Sequence, residues 1–164
     1  MSDFRRSLLI AAFVLGIAVM AQPVRASGLP ADPCSLLAAA DVSSILGQTY
    51  NAPKESVAPR PFLNTVTGTD CNYESAAGGK LWFRVYADPS PSAAKDLFAR
   101  LEVFYSPPTP VSHLGDEAYF DPSHALHVRK GNVRFYINLS PMDTFSPAVE
   151  KELTNLAKHV AGEL

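Results

Sequence analysis

The sequence predicts an α+β fold: an antiparallel sheet of about five to six strands, with two long helices and a short N-terminal helical segment packed on it. Three observations carry this. Residues 80–88 and 133–140 alternate apolar and polar side chains with the two-residue period of half-buried strands. Two other segments, opening at Ser90-Pro91 and Ser146-Pro147, repeat their apolar residues every three or four positions, the stripe of an amphipathic helix. The elements follow in the order α-β-β-α-β-β-β-α, which suits an antiparallel sheet with helices laid on it.

The chain begins with a segment that stands apart from this domain. Arg5 and Arg6 precede an almost purely apolar run over 7–21, which Gln22 and Pro23 end; Val24-Arg25-Ala26 then places small residues at the −3 and −1 positions of a cleavage site. That is the three-part anatomy of a secretory signal. The run falls short of the roughly 20 apolar residues that a membrane-spanning helix needs. The expectation is therefore a cleavable signal over 1–26, followed by one exported domain over 27–164, periplasmic or secreted. The Arg-Arg pair loosely resembles a twin-arginine signal, but the strongly apolar run favours the general secretory route. Because no cysteine follows that run, a lipid anchor is not expected, and no stable membrane tether remains after cleavage.

Cleavage after Ala26 leaves 138 of the 164 residues, enough for one domain with its own core. It removes Arg5, Arg6, Arg25 and Asp3 from 14 basic and 16 acidic side chains, so the mature chain carries 11 and 15, a formal charge of −4. Phosphate binding depends on an excess of Lys and Arg, so the global charge speaks against nucleic acid and anionic membrane surfaces. Cys34 and Cys71 are the two cysteines. In an exported domain such a pair reads as a bridge, with two buried thiols as the alternative.

Asp32-Pro33 is a helix start, an N-cap followed by proline in the first turn, with Leu36, Leu37 and Ala40 as the apolar face. Asp41 restarts the pattern with Val42, Ile45 and Leu46, and Gly47 ends it. Two short helical pieces with a break near Ala40-Asp41 follow from this. Residues 48–69, with Pro53, Pro59 and Pro61, lose all periodicity and read as a long surface loop holding at most one short edge strand. Strand 70–75 runs through Ala-Ala-Gly-Gly, a hairpin turn, into strand 80–88. The Ser90-Pro91 helix sets Ala94, Leu97, Phe98, Leu101 and Phe104 on one stripe, and Pro107, Pro108 and Pro110 stop it. Strands 116–121, 125–130 and 133–140 come next, the last two joined at Gly131-Asn132. The closing helix sets Val149, Leu153, Leu156 and Val160 on one stripe. A faint repeat at a shift of 52 sets Leu81, Phe83, Val85 and Ala87 on Val133, Phe135, Ile137 and Leu139.

Several short strings occur in order: Asp32-Pro33-Cys34-Ser35-Leu36-Leu37, Asp41-Val42, Leu46-Gly47, Cys71-Asn72-Tyr73 and Leu114-Gly115-Asp116-Glu117-Ala118-Tyr119. In this the chain resembles a broad group of exported bacterial domains of unknown function, common among actinobacterial envelope lipoproteins. The resemblance implies a Cys34–Cys71 bridge and a sheet-plus-helices fold related to PsbP-like domains. It implies no reaction, and this chain lacks the lipid-bearing cysteine of the lipoprotein members.

The chemistry-bearing residues form no strong constellation. Asp116 and Glu117 are adjacent carboxylates, but in a strand they point to opposite faces, and Gly115-Asp116 reads as the turn that enters it. His124 and His127, three apart, also fall on opposite faces of a strand, so neither metal nor cofactor is expected. Ser112, His113 and Asp116 are the residue types of a hydrolase triad without a nucleophile elbow. Asn138-Leu139-Ser140 matches a glycosylation sequon inside a strand. The informative set is the second face of the sheet: Trp82, Arg84 and Tyr86 on one strand, Arg134, Tyr136 and Asn138 on its counterpart, with His127 and Arg129 between. If both long helices pack on the Leu81/Phe83/Val133/Phe135 face, this aromatic and cationic set is left on the other; the alternative is that the N-terminal helices and the 48–69 loop cover it. Trp, Tyr and Arg anchor interfaces, and Arg grips carboxylates and stacks on rings. The expectation is a non-enzymatic module that binds an envelope protein or a small acidic or aromatic ligand through Trp82, Arg84, Tyr86, Arg129, Arg134 and Tyr136. A hydrolase on Ser112, His113 and Asp116, or a structural envelope component, is the alternative.

Overall fold

A computed structural model describes residues 28–58, 66–140 and 146–164. The signal expected over 1–26 lies outside the described residues. Among those described, no helix is long and apolar enough to cross a membrane.

The chain is α+β, with seven strands in one antiparallel sheet rather than five or six. The strands are β1 (Lys54–Ala58), β2 (Gly68–Glu74), β3 (Lys80–Ala87), β4 (Thr109–Pro110), β5 (Glu117–Phe120), β6 (Leu126–Lys130) and β7 (Val133–Ser140), in the spatial order β1-β2-β3-β7-β6-β5-β4. β1 and β4 are the two edges of the sheet, and β4 is the strand beyond the expected count. β1 is the edge strand inside the proline-rich loop. β4 is a two-residue rung that pairs Thr109 with Phe120 and Pro110 with Tyr119, in a stretch whose prolines signal only the end of a helix.

A 3-10 turn over Pro33–Leu37 is followed by α1 (Ala39–Leu46), with the break at Ala38. Asp32 caps the turn by accepting a hydrogen bond from the Cys34 amide at 2.9 Å, and Gly47 ends α1 in the left-handed conformation at φ 67°. The helices α2 (Pro91–Phe104) and α3 (Pro147–Glu163) each begin with proline in the first turn. Their capping serines, Ser90 and Ser146, accept hydrogen bonds from the amides of Ala93 and Val149.

The main core lies on one face of the sheet. Leu81, Phe83 and Val85 of β3, Phe135 and Ile137 of β7, and Leu126 and Val128 of β6 are buried there against Leu36, Leu37 and Val42 of the N-terminal helical pieces. Leu153, Leu156, Ala157 and Val160 of α3 close the same layer. The Cys34–Cys71 disulfide, with Cα atoms 5.7 Å apart, ties the 3-10 turn to β2. For a sequence separation of 37 its chain-entropy contribution is about 4 kcal/mol. The Tyr73 hydroxyl donates to the Leu37 carbonyl beside it, so the turn is fastened to the sheet twice.

The second face is where the arrangement departs from expectation. α2 packs there, not beside α3. Its Phe98 lies against Tyr119, ring centroids 5.1 Å apart, on the face opposite the main core. The sheet is thus sandwiched, with α1 and α3 on one side and α2 on the other. The repeat-bearing strands β3 and β7 are side by side in the centre, Arg84 opposite Tyr136 and Tyr86 opposite Arg134. The two halves of the repeat agree in these strands and differ in the side to which each sends its helix.

Candidate functional site

Two-residue alternation sends Arg84 and Tyr86 of β3, Arg134 and Tyr136 of β7, His127 of β6 and Tyr119 of β5 to the α2 side. α2 covers this face incompletely. Phe98 and Leu101, with Tyr105 just past its end, form one wall of a half-enclosed cleft of about 250 Å³. The sheet forms the floor with Arg84, Tyr86, His127, Arg134 and Tyr136, and Asp121 and Ser123 close one end. Glycine at position 68 makes room for part of that floor: a Cβ there would lie 2.4 Å from the Tyr86 ring, so only a glycine lets the ring lie across β2.

Each arginine of this set meets a carboxylate, and His127 faces one as well. Arg84 Nη2 is 2.7 Å from Asp70 Oδ2, with its guanidinium 5.0 Å over the Tyr136 ring. Arg134 grips Asp88 through both Nε and Nη2, the latter at 3.0 Å, and lies 5.2 Å over the Tyr86 ring. Arg129 holds Glu117 at 2.8 Å and Asp116 at 2.7 Å. His127 Nε2 is 2.9 Å from Asp121 Oδ2. Burying a charge without a partner is costly, so these pairings are what allow arginine this far inside. The pairing of Arg84 is incomplete: its Nε, and Oδ1 of Asp70, are buried without a hydrogen bond.

The His127 ring lies in an aromatic stack. Tyr119 is 4.9 Å away and nearly parallel at 11°, Tyr136 is 5.5 Å away at 29°, and Tyr105 is 5.1 Å away at 36°. Asp121 is fixed by an Asx turn in which Oδ1 accepts from the Ser123 amide, the Ser123 hydroxyl and the Ala125 amide at 2.7–3.0 Å. Burial raises the Asp121 pKa, but bonds from His127 and Ser123 outweigh it and hold the carboxyl below its ordinary value. Burial pushes the Tyr136 hydroxyl up to about 12, and raises Tyr86, Tyr105 and Tyr119 as well.

Of the six residues singled out from the sequence, Arg84, Tyr86, Arg134 and Tyr136 line this cleft. Trp82 lies apart, opposite Asn72 and Asn138, in a shallow depression with Lys54, Ser56 and Lys80. Arg129 is taken up by Asp116 and Glu117 away from the cleft. That pairing also corrects the expectation that Asp116 and Glu117 diverge. Asp116 sits just before β5, in a bend where Gly115 has φ 59° and a Cβ would be 2.5 Å from the Arg129 carbonyl, so both carboxylates reach the same guanidinium. Asp116 also accepts from the Gly131 amide at 2.8 Å. Among the described residues, no hydrogen bond joins Ser112, His113 and Asp116 to one another, and Ser112 and His113 are exposed.

Phe98, Leu101, Tyr105, Asp121 and Ser123 complete the cleft from outside the aromatic and cationic set that the sequence points to. Asp121-Pro122-Ser123 is a readable turn signal, and His127 shares the alternation of Tyr136, but no sequence pattern says that α2 closes over them. The one cluster with ligand spacing among the described residues, Asp32, Cys34 and Glu55, has its sulfur committed to the disulfide.

The fold and site together define a seven-stranded antiparallel sheet, helices on both faces, with an aromatic-walled cleft under one of them. Comparison with protein-family models, curated proteins and solved structures finds no match to this chain.

Proposed function

We propose that this chain is an exported envelope domain, periplasmic or secreted, that binds a small planar aromatic ligand between α2 and the sheet and does not turn it over. The observation that carries the reading is the convergence of Tyr86, Tyr105, Tyr136 and His127 with Phe98 and Leu101 on one cleft. Its volume of about 250 Å³ is near the lower end of ligand pockets, roughly 300 Å³. The carboxylate opposite each cation favours an aromatic ligand over a strongly acidic one, because Arg84 and Arg134 already have anionic partners.

Amide NMR with indole as the probe tests this. The expected result is saturable shifts at Arg84, Tyr86, Tyr105 and Tyr136, and at least about tenfold weaker binding in Leu101→Trp, which fills the cleft. Shifts centred on Trp82, or none at millimolar indole, would overturn the proposal.

A further inference from the structure

His127 has two ring nitrogens, and the structure gives them different tasks. Nε2 faces Asp121 Oδ2 at 2.9 Å, and the other oxygen of that carboxylate already accepts three bonds from Ser123 and Ala125. An ionised carboxylate only accepts, so Nε2 carries the proton in the neutral ring and Nδ1 is left with a lone pair. This assignment comes from the hydrogen-bond network. Nδ1 makes no hydrogen bond among the described residues, and it is not sealed off with the buried unpartnered atoms. The His127 side chain is only 10% exposed and lines the cleft. Tyr119, Tyr136 and Tyr105 pack against the ring, which leaves Nδ1 as its one hydrogen-bonding atom without a partner among the described residues.

We infer that the cleft selects a hydroxyl-bearing aromatic molecule, a phenol in its simplest form, whose O–H donates to Nδ1 of His127 while its ring packs against the tyrosines. Asp121 acts as a positioning residue: it fixes which nitrogen accepts. The inference deepens the aromatic-ligand reading and depends on it. The depressed carboxyl pKa of Asp121 agrees with an acceptor that stays ionised.

The test compares p-cresol with 4-methylanisole, which has the same ring and no donor, by calorimetry or NMR titration. Wild type is expected to bind p-cresol about tenfold more tightly, the scale of one hydrogen bond in a low-dielectric site. In His127→Phe, which keeps a stacked ring, that preference should vanish. Asp121→Asn keeps the oxygen that Ser123 and Ala125 require and turns an N–H toward Nε2. The ring proton then moves to Nδ1, and the preference for p-cresol should be lost or reversed. Equal binding of both probes by wild type, or an unchanged preference in Asp121→Asn, overturns the inference while leaving the aromatic cleft standing. Failure of both probes together with indole overturns both.

Discussion

At the scale of single residues, two buried tyrosines show how much a hydroxyl's partner matters. The hydroxyls of Tyr73 and Tyr119 are both inside the protein, but Tyr73 donates to the Leu37 carbonyl, whereas Tyr119 has no partner among the described residues. An unmade buried hydrogen bond costs about 1–3 kcal/mol, and a made one contributes about 1. Tyr119→Phe keeps the stack with His127 and Phe98 and removes only the unpartnered group, so stability should hold or rise by about 1 kcal/mol. Tyr73→Phe should lose about 1 kcal/mol or more, because it strands the Leu37 carbonyl. Urea melts of the two variants check this, and a clear loss in Tyr119→Phe would contradict it. Neither fate is legible in the sequence, where both tyrosines are simply inward positions of strands. The same holds for the arginines. Alternation places Arg84 and Arg134 on the α2 face, but their carboxylates come from 14 and 46 residues away through a register that only the folded sheet sets.

The elements were more legible than their neighbours. Ser-Pro starts and apolar stripes mark α2 and α3, because capping and helical periodicity are local properties. The side of the sheet that each helix takes is not local: an apolar stripe requires burial without saying against what. β4 leaves no trace in the sequence, since two residues cannot show a period. These differences have an energetic consequence. α3 buries Leu153, Leu156, Ala157 and Val160 almost completely, whereas α2 packs across a cleft and leaves Val103 and Phe104 exposed. α2 is therefore the element expected to open first. Ser90→Ala, which removes the hydroxyl that accepts from the Ala93 amide, should weaken α2 by about 1 kcal/mol. Amide hydrogen exchange should accelerate through 91–104 and stay unchanged in β3 and β7. Equal acceleration in the central strands would mean that α2 and the sheet open as one unit.

For the whole molecule, the tyrosines couple burial to pH. All six tyrosines of the chain, at positions 50, 73, 86, 105, 119 and 136, have pKa values raised first by burial, and Tyr136 is pushed up to about 12. In the unfolded chain they ionise near 10. Above about pH 10 the native state thus holds more protons than the unfolded one, so the slope of stability against pH is negative there. The stability from neutral buried tyrosines is complete below about pH 10 and declines as pH rises toward 12. Tyrosinate absorbance and circular dichroism followed together should show one event: little ionisation while the helices persist, then ionisation and unfolding in the same narrow range. In concentrated guanidinium chloride all six should titrate near 10. Gradual ionisation from pH 10 with the helical signal intact would mean that water reaches these hydroxyls in the native state. The aromatic floor of the cleft would then be open enough to lose the enclosure on which its selectivity depends.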